Sequence, residues 1–176
     1  MIERQAVSPE QEEFCFFLQQ HSPFAELPST TLQSIARQLV ITYHRAQTQI
    51  SLDDQQRCLY LVRSGAVVIS DAEHRLLDKV AVGGCFGYAS LLSQQPISNR
   101  VEALEDSLIY RINANLFQDL CDKHADFSLF FDRKYSKRLQ NALQHRQENS
   151  LYSQQVQQLM SKTLVTIDPM ASVFDA

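Results

Sequence analysis

The residues best placed to do chemistry lie in one glycine-rich stretch, residues 82–92. Three of the four glycines of this 176-residue chain fall there, at Gly83, Gly84 and Gly87, and the fourth is Gly65. Glycine is used where the backbone takes a positive φ or approaches another group closely. A strand-like run meets a tight turn and then a short helix-like run, and free N–H groups at a helix start favour an anion. The alternative is a plain strand–turn–helix corner, because glycine turns far outnumber phosphate sites.

No other part of the chain carries a catalytic motif. The sequence contains no HExxH, GxSxG, Walker-type loop or CxxC pair, so it predicts no catalytic residue and no metal site. The histidines are scattered, although His44 and His74 lie near predicted strand ends and could approach a ligand. The cysteines lie far apart in apolar contexts, which favours buried reduced thiols and a cytoplasmic location.

Composition narrows the class of protein. The apolar fraction of 44% and the charged fraction of 20% are near the globular average. A net charge of −4 argues against broad contact with nucleic acid or with an anionic membrane. No apolar run approaches the roughly 20 residues that a membrane span needs.

The elements around the glycine stretch predict a mainly β fold with flanking helices. Two helices are expected before residue 40, one starting at Ser8-Pro9 and one at Thr30-Thr31. Short apolar runs then alternate with polar turns, which predicts an all-β sandwich or barrel-like roll. A hairpin turn is expected at Arg63-Ser64-Gly65. The clearest predicted strands are residues 40–43, 58–62, 66–69, 76–82 and 107–112.

Helical patterns return after Ile112. Asn113 is expected to cap a short helix, and a longer helix is expected from about Ala125 to Glu148. Apolar residues recur every four positions along the longer helix and predict a buried face: Phe127, Phe131, Tyr135, Leu139 and Leu143.

The end of the chain resembles the start of another unit. Residues 156–160 end a helix, residues 164–167 have a strand pattern, and Asp168-Pro169 begins a capped helix. A capped helix that stops after about two turns cannot bury its face. The expectation is that the natural protein continues beyond Ala176.

This order of elements resembles the cyclic nucleotide-binding domain, the fold of catabolite-activator-type regulators and kinase regulatory subunits. The resemblance covers about residues 10–148 and rests on the strand–Gly–strand turn at 59–67, the glycine turn with Leu91-Leu92, and the return strand from Val101. It implies a double-stranded, jelly-roll-like β-helix with N-terminal helices and a long C-terminal helix. The implied parts are an N-terminal helical segment (1–39), a β-roll (40–112), C-terminal helices (113–150), and a linker with the start of a further module (151–176).

The glycine turn resembles the start of the family's phosphate-binding cassette but departs from it at both charged positions. In the family, a Glu after the Phe-Gly pair accepts the ribose 2′-hydroxyl, and an Arg farther along holds the cyclic phosphate. Here those positions are Tyr88 and Ile97. The nearest cation, Arg100, would need a bulge to replace the Arg, because odd offsets along a strand face the opposite side.

Cyclic AMP binding at ordinary affinity is therefore not expected, and three alternatives remain. In the first, the pocket binds a different ligand, with Tyr88 stacking on a ring and Ser98 and Asn99 supplying neutral hydrogen bonds. In the second, it binds a cyclic nucleotide weakly. In the third, it binds no ligand and is kept as a scaffold. No cofactor other than such a ligand is predicted. The candidate ligand-binding residues are Phe86, Gly87, Tyr88, Ala89, Ser90, Ser98, Asn99 and Arg100.

The resemblance implies a non-catalytic, nucleotide-sensing regulatory domain. In the family the long helix also acts as a lid or pairs with its twofold mate. The resemblance therefore implies a homodimer, and the residues of the dimer or lid surface are Phe127, Phe131, Tyr135 and Leu139. Residues 156–173 resemble the start of a CBS module, and the cassette is similar to that of bacterial signalling proteins that continue into a CBS pair and a nucleotidyltransferase domain. The alternatives are a dimerisation or scaffold module that binds no nucleotide, and the sensor of a DNA-binding regulator. Against a DNA-binding regulator, the segment of this chain after the long helix has no pattern of a basic recognition helix.

Overall fold

The computed structural model describes residues 9–52, 56–95 and 99–159. Its helices are α1 (Pro9–Gln19), α2 (Ser29–Ala36), α3 (Tyr88–Ser93), α4 (Ala114–Lys123) and α5 (Ala125–Leu159), with a 3-10 helix at Phe24–Glu26. Its strands are β1 (Val40–His44), β2 (Gln49–Ile50), β3 (Cys58–Ser64), β4 (Val67–Ser70), β5 (Leu76–Val80), β6 (Cys85–Phe86), β7 (Arg100–Ala103) and β8 (Ser107–Asn113). The chain divides into two compact units, Met1–Tyr135 and Ser136–Ala176.

The strands of the first unit form two antiparallel sheets of four strands each. One sheet has the order β1-β8-β3-β6 and the other the order β2-β7-β4-β5. Neighbours in each sheet are mostly distant in sequence, which is the connectivity of a jelly-roll rather than of a meander. The predicted β-roll with helices on both sides of it in the sequence is confirmed.

Two apolar clusters hold this unit together. The roll cluster lies between the two sheets and contains Ile50, Cys58, Tyr60, Val62, Val67, Ile69, Val80, Phe86, Val101, Ala103 and Ile109. The helix cluster joins the outer face of the first sheet to the helices and contains Phe14, Phe17, Leu18, Phe24, Leu27, Leu32, Ile35, Leu59, Leu61, Cys85, Tyr88, Tyr110, Ile112, Leu116, Phe117, Leu120, Phe127 and Phe131.

Strand β3 contributes to both clusters, which explains why its first five residues, 58–62, are all apolar. Tyr60 and Val62 belong to the roll cluster, whereas Leu59 and Leu61 belong to the helix cluster. Successive side chains of a strand point to opposite faces, so a strand buried on both faces is apolar throughout. The first sheet therefore lies between the helix cluster and the roll cluster, and β3 contributes side chains to both.

One local expectation was wrong. The predicted hairpin at Arg63-Ser64-Gly65 is a connection between sheets, because β3 and β4 pair in different sheets. Gly65 has a φ of 80°, and a Cβ there would collide with Ser107 and Asp106.

Helix α2 begins at Ser29, one residue before the predicted start, and has no side-chain cap. The Pro28 carbonyl accepts hydrogen bonds from the Thr31 and Leu32 amides.

The helices after the roll follow the prediction in part. The Asn113 side chain accepts a hydrogen bond from the Leu116 amide at 2.9 Å, which confirms the predicted cap of α4. Helix α5 continues to Leu159 rather than ending near Glu148, because residues 125–159 contain neither glycine nor proline to stop it.

The apolar stripe of α5 is buried only at its start. Phe127 and Phe131 are buried in the helix cluster and Tyr135 packs partly against it. Leu139 and Leu143, in the second unit, are 48% and 62% exposed. Within the part of the chain that the structure describes, burial of the predicted stripe is found only from Phe127 to Tyr135. None of the described helices is long and apolar enough to cross a bilayer. Ser8 and the patterns in residues 160–176 lie outside the described residues.

Candidate functional site

The glycine turn is built so that its backbone lies against the wall of the roll. The Gly83 amide donates to the Val62 carbonyl at 2.8 Å, and the Val62 amide donates to the Gly84 carbonyl at 3.0 Å. Gly87 has a φ of 84°, and a Cβ there would lie 2.5 Å from the Cys58 carbonyl oxygen and 2.7 Å from the Tyr60 ring. Only glycine fits this position, because a side chain would be strained and would collide with backbone.

Helix α3 follows Gly87 and uses its own polar side chains internally. The Ser90 hydroxyl donates to the Gly87 carbonyl at 2.9 Å, and the Ser93 hydroxyl donates to the Ala89 carbonyl at 2.7 Å. The Arg57 guanidinium donates to the Ser90 carbonyl at 3.2 Å and ties the helix to the chain just before β3. The candidate ligand-binding residues Ala89 and Ser90 are therefore both part of a short, internally bonded turn of helix.

Tyr88 faces the helix cluster. Its side chain is only 2% exposed, and its ring centre lies 5.6 Å from that of Phe131 on α5. The Lys134 ammonium lies 5.4 Å from the centre of the Tyr88 ring and donates to the Cys85 carbonyl at 3.5 Å. Burial raises the pKa of the Cys85 thiol to about 12, so this thiol stays protonated at neutral pH. Tyr88 thus connects the glycine turn directly to α5.

Phe86 faces the other way, into the roll. Its ring stacks on that of Tyr60 with centres 4.8 Å apart and planes 8° apart. Phe86 and Tyr88 lie two residues apart on opposite sides of the first sheet because Gly87 between them has a positive φ. The turn therefore passes from the roll interior to the helix side within three residues, Phe86–Tyr88.

The remaining candidates lie on or before β7. Arg100 pairs with Ser70 in a β4–β7 ladder without a bulge, and buried and exposed residues alternate along β7. Val101 therefore faces the roll cluster, and Arg100 is exposed on the opposite face with its guanidinium 2.9 Å from His74 Nε2. Asn99 is half-buried. Ile97 and Ser98 lie outside the described residues, so their roles stay predictions.

Sequence reasoning missed the cation that faces the roll. Arg111 on β8 lies directly opposite Tyr60 of β3, and strand alternation places it on the same face as buried Ile109. Its guanidinium Nη2 lies 3.7 Å from Cys58 Sγ, and its Cζ lies 5.9 Å from the centre of the Tyr60 ring. The alternation of Ser107, Ile109 and Arg111 was the signal that could have found it.

Two further polar groups line the same face at the edge strand β1. His44 Nε2 lies 3.1 Å from Thr42 Oγ1, and the Thr42 hydroxyl donates to the Ile109 carbonyl at 3.3 Å. Burial lowers the pKa of His44, and the positive charge of Arg111 lowers it further. The roll face of the first sheet therefore carries a fixed positive charge at Arg111 and two polar side chains farther along, at Thr42 and His44.

Comparison with known proteins agrees with this architecture. Residues 40–124 match the family model of the cyclic nucleotide-binding domain. The comparison with curated proteins gave no match.

Solved structures share the fold at low sequence identity. A cAMP-bound structure of PfPKA-R aligns with a TM-score of 0.66 at 15% identity, over 77% of this chain and 48% of that one. The sensor domain of the transcriptional regulator DNR from Pseudomonas aeruginosa aligns with a TM-score of 0.62 at 19% identity, over 71% of this chain and 92% of that domain. The guanosine-bound regulatory subunit of a cAMP-independent protein kinase A from Trypanosoma cruzi aligns with a TM-score of 0.55 at 16% identity, over 73% of this chain and 50% of that subunit.

These likenesses are similarities of fold. This chain covers about half the length of the two kinase regulatory structures and nearly all of the bacterial sensor domain.

Proposed function

We propose that this chain, whose residues 40–124 form a cyclic nucleotide-binding domain by fold and by family match, is a non-catalytic regulatory domain that senses a small nucleotide in a divergent pocket. The observation that carries the proposal is the contact of Tyr88 with Phe131, at a ring-centre distance of 5.6 Å. It joins the residue after the Phe-Gly pair of the cassette directly to the long helix.

This contact supports a switch. A ligand that reorders the cassette must move Tyr88 or break its contact with Phe131, so binding and the position of α5 are linked. A ligand shifts such an equilibrium only by the difference between its affinities for the two states. In this scheme the cassette detects the ligand and α5 transmits the change.

The ligand is not expected to be cyclic AMP at ordinary affinity. Tyr88 replaces the family's ribose-binding Glu, and Ile97 replaces its phosphate-binding Arg. Charge-assisted hydrogen bonds are worth about 1.5–3 kcal/mol each, so the loss of both groups removes much of the affinity. The guanosine-bound regulatory subunit from Trypanosoma cruzi, described as cAMP-independent, is a precedent for this fold with a nucleoside ligand.

A thermal-shift screen followed by calorimetry tests the sensing function. The 176-residue chain is screened against cyclic AMP, cyclic GMP, AMP, GMP and cyclic dinucleotides. A ligand present at 100 times its Kd stabilises the fold by about 2.7 kcal/mol, which raises Tm by roughly 5–10 °C at this size. We expect a shift with at least one nucleotide and a smaller or no shift with cyclic AMP.

The screen also decides between the alternatives. A shift with cyclic AMP alone contradicts the argument from Tyr88 and Ile97. No shift with any nucleotide supports the scaffold function instead, in which the cassette is a purely structural contact.

The surrounding protein is proposed on the same basis. We place the domain in a bacterial cytoplasmic signalling protein that continues into CBS and nucleotidyltransferase domains, without direct contact to nucleic acid. The four free cysteines of the structure suit a reducing compartment. The exposed leucines of α5, Leu139 and Leu143, suit a homodimer that pairs this helix with its copy.

Equilibrium sedimentation tests the homodimer. We expect a dimer for the 176-residue chain, and a weaker dimer when Leu139 and Leu143 are both changed to Glu, because a charge at each position opposes burial. The matched control is Phe16→Glu, which changes an apolar side chain that is 64% exposed on α1. A monomer at high concentration would remove the dimer from the proposal.

A further inference from the structure

The cassette of this chain lacks an arginine at the position that holds the phosphate in the family, so a phosphate in the roll needs another source of positive charge. Among the described residues, the cations that contact the cassette or lie on β7 and β8 are Arg57, Arg100, Arg111 and Lys134. Their positions relative to the roll interior separate them.

Three of these cations are directed elsewhere. Arg100 is exposed on the outer face of β7 beside His74. Arg57 donates to the Ser90 carbonyl of α3. Lys134 lies over Tyr88 on the helix side and donates to the Cys85 carbonyl.

Arg111 faces the roll interior next to the glycine turn. Both Arg111 and Gly87 approach the same two residues: Arg111 lies 3.7 Å from Cys58 Sγ and 5.9 Å from the Tyr60 ring centre, while a Cβ on Gly87 would lie 2.5 Å from the Cys58 carbonyl oxygen and 2.7 Å from the Tyr60 ring. The guanidinium and the turn are therefore neighbours across one residue pair.

The environment of Arg111 strengthens the interaction that its guanidinium can make with an anion. Its Nε is buried and its charge already acts on His44. A guanidinium that is partly removed from water interacts more strongly with an anion, because the local dielectric is lower. Its planar fork of donors also matches the oxygens of a phosphate group.

We propose that Arg111 supplies the positive charge that binds the phosphate of a small nucleotide inside the roll, in place of the cassette arginine. This inference rests on the proposed nucleotide-sensing function and assigns the residue that recognises the ligand. A phosphate monoester and a cyclic phosphodiester share this chemistry, and AMP and GMP against their cyclic forms distinguish the two sources. Thr42 and His44 lie farther along the same face of the first sheet, opposite Ile109 and Ser107 of β8.

Calorimetry on three variants tests the assignment. The variants are Arg111→Gln, Arg111→Lys and, as a matched control, Lys79→Gln, which removes a positive charge from an exposed position of β5. For the nucleotide that the wild-type chain binds most tightly, we expect Arg111→Gln to weaken binding about 10- to 100-fold. Arg111→Lys should lose less, because it keeps the charge but not the fork, and Lys79→Gln should bind as the wild type does.

A second readout reports on the site itself. Nuclear magnetic resonance titration follows the pKa of His44 with and without saturating ligand. An anion at Arg111 screens its charge, so ligand should raise the pKa of His44 in the wild-type chain. At the concentration that just saturates the wild-type chain, Arg111→Gln is only partly occupied, so the pKa of His44 should rise less in that variant. Urea unfolding of each variant confirms that it is folded, and Arg111→Lys carries the test if Arg111→Gln does not fold.

The outcomes separate this proposal from the function it rests on. Undiminished binding by both Arg111 variants, or an equal loss of binding in Lys79→Gln, overturns the role of Arg111 and leaves nucleotide sensing intact. If the wild-type chain binds none of AMP, GMP, cyclic AMP, cyclic GMP, the cyclic dinucleotides and inorganic phosphate at millimolar concentration, both proposals fall.

Discussion

Replacing Phe131 with alanine is expected to lower the free energy of unfolding by about 3–5 kcal/mol. Phe131 is fully buried on α5, and its ring lies between 5.1 and 5.6 Å from the ring centres of Phe127, Phe117 and Tyr88. Its removal leaves a cavity at the point where α5, α4 and the cassette helix meet, and such cavities collapse only partly. Urea unfolding followed by circular dichroism measures the change.

The matched control is Leu129→Ala on the same helix. Leu129 is 42% exposed, so its truncation should cost less than about 1 kcal/mol. Neither loss can come from helix propensity, because alanine has the highest helix propensity of all residues. An equal loss in both variants would mean that packing on the cassette adds nothing specific at Phe131. A small loss in Phe131→Ala would contradict the contact with Tyr88 on which the proposed switch depends.

The fold could be predicted because its signals are local and repeated. The strands 40–44, 58–64 and 107–113 each carry several apolar residues between polar turns, and the resemblance at the glycine turn placed them in a roll. Strands β2 and β6 have only two residues each, too few for alternation to show, and they form because longer neighbours hold them. The turn at Gly65 was assigned to a hairpin because sequence spacing does not tell which sheet a strand enters.

Of the candidate site, the sequence predicted the position of the glycine turn but not the directions of the side chains around it. The glycines marked the turn correctly, and Gly87 has the positive φ that motivated the prediction. Sequence could not tell which side of the sheet Tyr88 faces, since that depends on the tertiary packing of α5 against the cassette. Arg111 was overlooked because a charged residue in an apolar strand is usually solvent-facing, whereas here alternation turns it into the roll.

The position of Tyr88 leads to a second large effect. Changing Tyr88 to Glu introduces the residue type that binds ribose in the family that the sequence resembles, but it places a carboxylate where the present side chain is 2% exposed among aromatic rings. The loss of the ring should cost about 3–5 kcal/mol, as for other buried aromatic truncations. The charge adds a further cost, because a buried carboxylate without an ion-pair partner is disfavoured.

This additional cost depends on pH in a defined direction. Burial raises the pKa of the introduced Glu above its unfolded value of about 4.3. Below about pH 4.3 the carboxyl is neutral in both the folded and the unfolded state, so its charge costs nothing. Stability is then lost as the pH rises from there through the raised folded pKa. Urea unfolding of Tyr88→Glu between pH 4 and pH 8 should therefore show its greatest relative stability at the acid end, with roughly 1.4 kcal/mol lost per unit of pKa shift.

Tyr88→Gln is the matched control, because it has the same shape without the titrating proton. The difference in free energy of unfolding between the Glu and Gln variants isolates the charge from the lost ring and from all other titrating groups. Lys134 provides the competing outcome, since its ammonium lies 5.4 Å from the present ring centre. If that ammonium closes on the new carboxylate, the folded pKa falls below 4.3 and the pH dependence reverses, with stability lost towards acid. A reversed slope would show that the cassette can hold a carboxylate at position 88 through an ion pair with Lys134, in place of the packing of Tyr88 on α5.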